Sequence, residues 1–137
     1  MAGRKIFLVV EDDADVRHSI TRALQRAGFE CAEADSAEAG LVIAMTDDIC
    51  GAVIDLCLPG MSGGELSWRL TQEAPGLPVI AVSGDLGMWD SDDLRQLGVK
   101  RSFGMPFPAR GFAAAARELV DQRVPVAARG GAGPYVM

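Results

Sequence analysis

Short apolar runs alternate with longer stretches of helical period along almost the whole chain. Ile6 to Val10 is apolar at every position and predicts a buried strand. From Asp13 to Ala27, the residues Val16, Ile20, Ala23, Leu24 and Ala27 fall on one helical stripe, and Gly28 follows as a stop. Phe29 to Ala34 predicts a more polar strand, nearer an edge. Asp35 and Glu38 have the spacing of a capping box that opens a helix over Ala39 to Met45. Gly51 to Asp55 predicts a third strand, whose apolar run stops at a carboxylate. After the turn LPGMSGG a helix is expected near Glu65 to Glu73, then a fourth strand at Pro78 to Val82. Asp90 to Leu97 fits a fourth helix ended by Gly98, and Arg101 to Gly104 a short fifth strand. Pro108 to Arg123 closes the set as an alanine-rich helix.

Strand–helix units in alternation imply an α/β fold with a mainly parallel sheet and helices on both faces. A closed barrel of such units needs about eight of them, so an open, doubly wound sheet fits this length better. In such sheets the site lies outside the carboxyl ends of the strands, where the strand order reverses.

Carboxylates collect at that edge. The first strand ends in Glu11, Asp12 and Asp13, and the third in Asp55. Asp13 is placed to cap the first helix by accepting its free N–H groups, and capping is the plain alternative for the other acids too. If the first and third strands are neighbours, however, Glu11, Asp12 and Asp55 converge on one pocket. Like charges that close are unfavourable unless protons or a cation compensate them, and a hard ion such as Mg²⁺ suits the ligand set. Ser83 ends the fourth strand in VIAVSGD, at the same edge of the sheet. Its hydroxyl could donate to a phosphoryl oxygen, although a serine there also commonly caps a turn. The Pro-Gly turn in DLCLPGMSG fixes the loop after Asp55 and leaves backbone groups free to face an ion.

Composition narrows the function classes. A chain of 137 residues is one domain with a real core. A net charge of -6 argues against a nucleic-acid partner. Cys31, Cys50 and Cys57 are too few and too irregular for a disulfide framework or a zinc site, and read as buried thiols of a reducing cytosol. No apolar run approaches the roughly 20 residues that span a bilayer. EDDAD follows the first run at once, without a cleavage-site pattern. No membrane insertion and a cytoplasmic location are therefore expected. His18 reads as a solvated helix residue, Trp68 as a partly exposed helix position, and Trp89 as a loop residue.

Four motifs, VVEDDADVR, VIDLCLPGMSG, AVSG and GMPF, follow one another in that order within a match that covers roughly residues 5 to 123. Together they resemble the response-regulator receiver family of two-component signalling. The resemblance implies a flavodoxin-like, five-stranded parallel sheet of order 2-1-3-4-5. Residues 1–123 would be the receiver domain. Residues 124–137, VPVAARGGAGPYVM, lack an apolar period and are expected to be a flexible C-terminal tail, too short for an output domain. By resemblance, Asp55 is the phosphoacceptor, served by a histidine kinase or a phosphotransfer protein. Mg²⁺ would be held by Asp12 and Asp55, by Glu11 through water, and by the Cys57 backbone carbonyl. Ser83 would hydrogen-bond the phosphoryl group. The chain would be a signalling module rather than an enzyme, acting by contact with a downstream protein that the sequence does not name. A phosphatase with an aspartyl intermediate fits less well, since Cys57 stands where such enzymes commonly place a second acid.

Two positions depart from the family pattern. Met105 stands where a lysine normally precedes the proline of the last strand turn, and Ser102 where many members carry a switch aromatic. At an effective dielectric near 20, an ion pair at about 4 Å has a Coulomb energy of about 4 kcal/mol before desolvation. The lost cation therefore matters. Lys100 and Arg101 lie four or five residues upstream, roughly 13–17 Å along a strand, too far to replace it. Phe103 is expected on the face opposite to Ser102. A second reading follows from these departures: a receiver-like interaction module that works independently of phosphorylation.

Overall fold

The computed structural model describes residues 5–123. The tail expected at 124–137 lies outside the described residues. The elements are β1 (Ile6–Val10), α1 (Ala14–Arg26), β2 (Glu30–Ala34), α2 (Ala37–Thr46), β3 (Ile49–Asp55) and α3 (Gly63–Glu73). They continue with β4 (Val79–Ser83), a 3₁₀ turn (Leu86–Met88), α4 (Ser91–Gln96), β5 (Arg101–Gly104) and α5 (Ala109–Gln122). The strands form one sheet of order β2-β1-β3-β4-β5, and every pairing is parallel. This is the doubly wound, flavodoxin-like topology that the sequence implies.

Burial explains the strand sequences. The central strands β1, β3 and β4 are covered on both faces and so are apolar almost throughout. Leu8, Val10, Ala52, Ile54 and Ala81 face α2, α3 and α4. Phe7, Val9, Val53, Ile80 and Val82 face α1 and α5, where they meet Ile20, Leu24, Phe112 and Ala116. Fully burying one such aliphatic or aromatic side chain stabilises the fold by about 1.5–3 kcal/mol. Gly51 interrupts β3 because the Phe7 ring occupies the space of a Cβ, with a ring carbon only 2.6 Å from that position. The edges differ: β2 is half-buried, as its polar sequence suggests, while β5 is largely exposed.

Helix starts refine the expected boundaries. Asp13, Ser62 and Asp90 cap α1, α3 and α4, accepting from the Val16, Glu65 and Asp92 N–H groups. The α2 cap is Ser36, which accepts from Ala39 N, and not Asp35. The expected capping box is absent: the Glu38 carboxylate accepts instead from Met61 N at 3.1 Å, across the domain's top edge. With Ser62 as a cap, Gly63 and Gly64 become the first turn of α3, two residues ahead of the expected start. Helix α2 is apolar nearly all round, and Val42 and Met45 remain 61% and 75% exposed.

Candidate phosphoryl and metal site

Parallel pairing brings the carboxyl ends of the strands to one edge. Val10 is in register with Ile54, Asp55 with Val82, and Ser83 with Gly104. Glu11 and Asp12, just beyond β1, therefore meet Asp55 at the end of β3. One carboxylate oxygen from each of the three lies within 4.8 Å of the others. Glu11 and Asp55 are buried, at 2% and 6% exposure, while Asp12 is open to solvent.

The hydrogen bonds leave this cluster short of positive charge. Asp55 Oδ1 accepts from Cys57 N at 2.9 Å. Glu11 Oε2 accepts from Asp13 N at 3.1 Å, but its buried Oε1 has no partner. Arg17 lies nearby, yet its Nη1 donates to the Glu11 backbone carbonyl at 2.8 Å and its Nε to Glu33 at 3.0 Å. Among the described residues no salt bridge reaches Glu11, Asp12 or Asp55. Arg101 is 3.7 Å from Glu118 and lies over the Phe103 ring, at the opposite end of its strand. Burial pushes the Glu11 carboxyl up to about 8; the Asp12 and Asp55 carboxyls add to the rise and the Asp13 N–H opposes it. A partnerless buried carboxylate oxygen beside two more carboxylates is the donor set of a hard divalent cation, so the residues present fit Mg²⁺.

A stability profile follows. The folded protein keeps a Glu11 proton that the unfolded chain has lost between about pH 4.5 and about pH 8. Without metal, this group's contribution is full below that window and is lost as pH rises through it. A bound divalent ion favours the charged form and should remove the loss. Melting curves in EDTA should thus fall in midpoint across the window, and saturating Mg²⁺ should flatten or reverse the trend. Equal slopes in both buffers would contradict the cation site.

Ser83 is fully buried; its Oγ accepts from Asp85 N at 3.1 Å and lies 3.7 Å from Cys57 Sγ. Met105 N donates to the Ser83 carbonyl at 2.9 Å, which puts position 105 at the same edge. The Met105 side chain packs against the α1–α5 cluster. It lines a groove of about 510 Å³ with Val16, Ile20, Ala23, Pro106 and Phe107. Ser102 is exposed beside Ala81, and Phe103 points the other way, onto Phe107 and Phe112. Cys57 is exposed rather than buried as expected, whereas burial pushes the half-buried Cys31 and Cys50 thiols up to about 11. His18 is exposed, 3.4 Å from Glu33, and Trp89 is half-buried.

Two residues bear on the site without having been singled out for it. A Cβ on Gly63 would sit 2.0 Å from the Asp55 backbone oxygen, so α3 begins hard against the end of β3. Glu38 holds the loop between β3 and α3 through Met61. The glycine pair was visible as turn composition; the Glu38 contact joins residues 23 apart and leaves no local signal.

Comparison with known proteins agrees with this geometry. The model of the response regulator receiver domain family matches residues 7–115. The C4-dicarboxylate transport transcriptional regulatory protein DctD of Rhizobium meliloti is 31% identical over 123 residues, covering 89% of this chain and 26% of DctD. The chain spans between 22% and 37% of the length of three such curated relatives. A CheY-like receiver domain protein from Methanospirillum hungatei JF-1 superposes with TM-score 0.79 at 26% identity, covering 88% of this chain and 97% of that one. Response regulator protein TrrA from Thermotoga maritima, solved in complex with Mg²⁺-BeF, gives TM-score 0.77 at 19% identity, with 84% and 98% covered. No helix among the described residues is long and apolar enough to cross a membrane.

Proposed function

Because the chain belongs to the response regulator receiver domain family, we propose that it carries a phosphoryl group on Asp55 and signals by protein–protein contact. The donor is a histidine kinase or a phosphotransfer protein. An Asp55 carboxylate oxygen attacks phosphorus, the donor's P–N bond breaks, and the departing imidazole takes a proton. The observation that carries this reading is the convergence of Glu11, Asp12 and Asp55, with one buried oxygen left without a partner. Asp12 and Asp55 would hold Mg²⁺, with Glu11 behind them and the Cys57 carbonyl completing the protein's ligands. The ion supplies charge neutralisation, on which phosphoryl transfer largely depends. The complex of the similar TrrA with Mg²⁺-BeF supports that choice of ion. Ser83 lies in the same edge layer and would donate its hydroxyl to a phosphoryl oxygen. Three free thiols suit a reducing, cytoplasmic compartment. Incubation with a small-molecule phosphodonor and Mg²⁺, followed by intact mass and site mapping, tests the reading. It fails if no phosphoryl group is gained or if the group maps elsewhere.

One observation favours the second reading. The side chain at position 105 packs toward α1 and α5, and no other described cation replaces the missing lysine at the acids. Phosphate can shift a conformational equilibrium only by its differential interaction with the two states. Without the lysine contact that difference shrinks, by about 1–2 kcal/mol after screening and desolvation. Met105→Lys should therefore enlarge the phosphate-dependent amide shifts around Ser83 and α4. A wild type that already shows large shifts, unchanged by the lysine, would assign the coupling to another group.

A further inference from the structure

The loop from Leu56 to Ser62 carries the Cys57 carbonyl and joins the acceptor strand to α3. Its ends are fastened locally. Cys57 N donates to Asp55, Ser62 caps α3, and Gly63 abuts the Asp55 carbonyl. Between these anchors, Pro59 and Gly60 are exposed, and Gly60 takes a positive φ of 76°. Leu58 and Met61 pack into the core on the α2–α3 side, and one side-chain hydrogen bond from elsewhere in the fold fixes the loop's backbone between them. Glu38, in the first turn of α2, accepts from Met61 N at 3.1 Å, and its Oε2 lies 3.2 Å from where a Gly60 Cβ would stand. Among the described residues it is the one side chain outside β3 and α3 that accepts a hydrogen bond from this loop's backbone.

We propose that Glu38 is a positioning residue for the cation site, clamping the β3–α3 loop from α2 so that the Cys57 carbonyl is held ready beside Asp12 and Asp55. The inference rests on the functional reading above and extends it to a residue outside the acid cluster. Its physical basis is preorganisation. A loop that samples several conformations binds with an affinity reduced by the fraction of time spent in the competent one. The main-chain donor at Met61 and the carboxylate at Glu38 form a charge-assisted pair. The backbone N–H groups of Glu38 itself and of Met61 hold that carboxyl below the usual carboxylate range. The clamp therefore stays charged and accepting at neutral pH. Releasing it leaves the ligands in place but loosens one of them.

The test compares wild type, Glu38→Ala and Glu38→Gln in the full chain, by Mg²⁺ titration calorimetry and by the amide proton shift of Met61. Glu38→Ala should weaken Mg²⁺ binding about three- to tenfold, the net worth of one ordinary hydrogen bond, as expected for a fully exposed carboxylate. The Met61 amide should move upfield, and the melting temperature should change by less than about 4 °C. Glu38→Gln keeps an accepting oxygen at the same reach and should recover most of the affinity, which a role of charge alone would not allow. Wild-type affinity in the alanine variant, or a glutamine variant as weak as alanine, would overturn the clamp. A wild type that binds no Mg²⁺ would overturn the functional reading itself and the clamp with it.

Discussion

Asp55→Asn should abolish phosphoryl uptake from any donor and, at the same time, make the metal-free protein more stable. The first effect follows from the chemistry, because an amide offers no carboxylate oxygen to attack phosphorus. The second follows from the crowding of charge. The substituted side chain keeps an oxygen to accept from Cys57 N, and its amide nitrogen can donate toward Glu11, whose Oε1 otherwise has no partner. One like charge disappears from a buried cluster, which should raise stability in EDTA at pH 8 by about 1–2 kcal/mol. Mg²⁺ affinity should fall by at least about tenfold with the loss of a ligand. Intact mass after phosphodonor treatment, chelated melting curves and Mg²⁺ titration check the three parts. A variant that still gains a phosphoryl group would end the assignment of Asp55. One that is less stable without metal would show that the carboxylate contributes favourable contacts outweighing the repulsion.

Gly63→Ala should be the most damaging single methyl in the domain. Its Cβ would lie 2.0 Å from the Asp55 backbone oxygen and 2.9 Å from Ile54 Cγ2. The first of these is main chain in a central strand, and no rotamer change can move it aside. Either α3 lifts from the sheet or β3 bends at Asp55, and overpacking of this kind costs about 3 kcal/mol or more. The melting temperature should drop by roughly 10 °C. Gly64→Ala is the matched control: its Cβ would meet Leu97 Cδ1 at 3.1 Å, the end of a side chain that can turn. A loss below about 1 kcal/mol is expected there. Similar melting curves for the two variants would mean that the helix start is not pinned to β3.

The chain announced the sheet and the acid edge because apolar runs stop at carboxylates. Val10 gives way to Glu11 and Asp12, and Ile54 to Asp55, and parallel pairing turns those stops into neighbours. The α1 cap at Asp13 was equally legible, since it is the acid that directly precedes the apolar stripe. The α2 start was not. Asp35 and Ser36 are both good caps, and only the backbone geometry selects Ser36 and frees Glu38 for a contact far along the chain. The apolar surface of α2 also carries no period by which to read a buried face. Cys57 reads as a small core residue but follows Asp55 at the mouth of the site, where β3 has ended and the side chain is exposed. The direction of Met105 depends on how the last turn meets α1, a long-range packing question that spacing does not encode.

The fifth strand and its neighbouring helix have a consequence for how the molecule comes apart. Helix α4 has six residues and buries only Leu94, and β5 is open at Arg101, Ser102 and Gly104. The other flank is built differently, with Ile20, Leu24, Phe112 and Ala116 buried between α1, α5 and the sheet. Local opening costs least where few apolar contacts must be broken. The α4–β5 flank is thus expected to open at lower cost than the four-strand body of β2, β1, β3 and β4, with Phe103 on Phe112 as its tie to α5. Its Gly104 pairs with Ser83 at the edge that carries the acid cluster. Amide exchange along α4 and β5 is therefore expected to respond to occupancy of that edge before global unfolding begins.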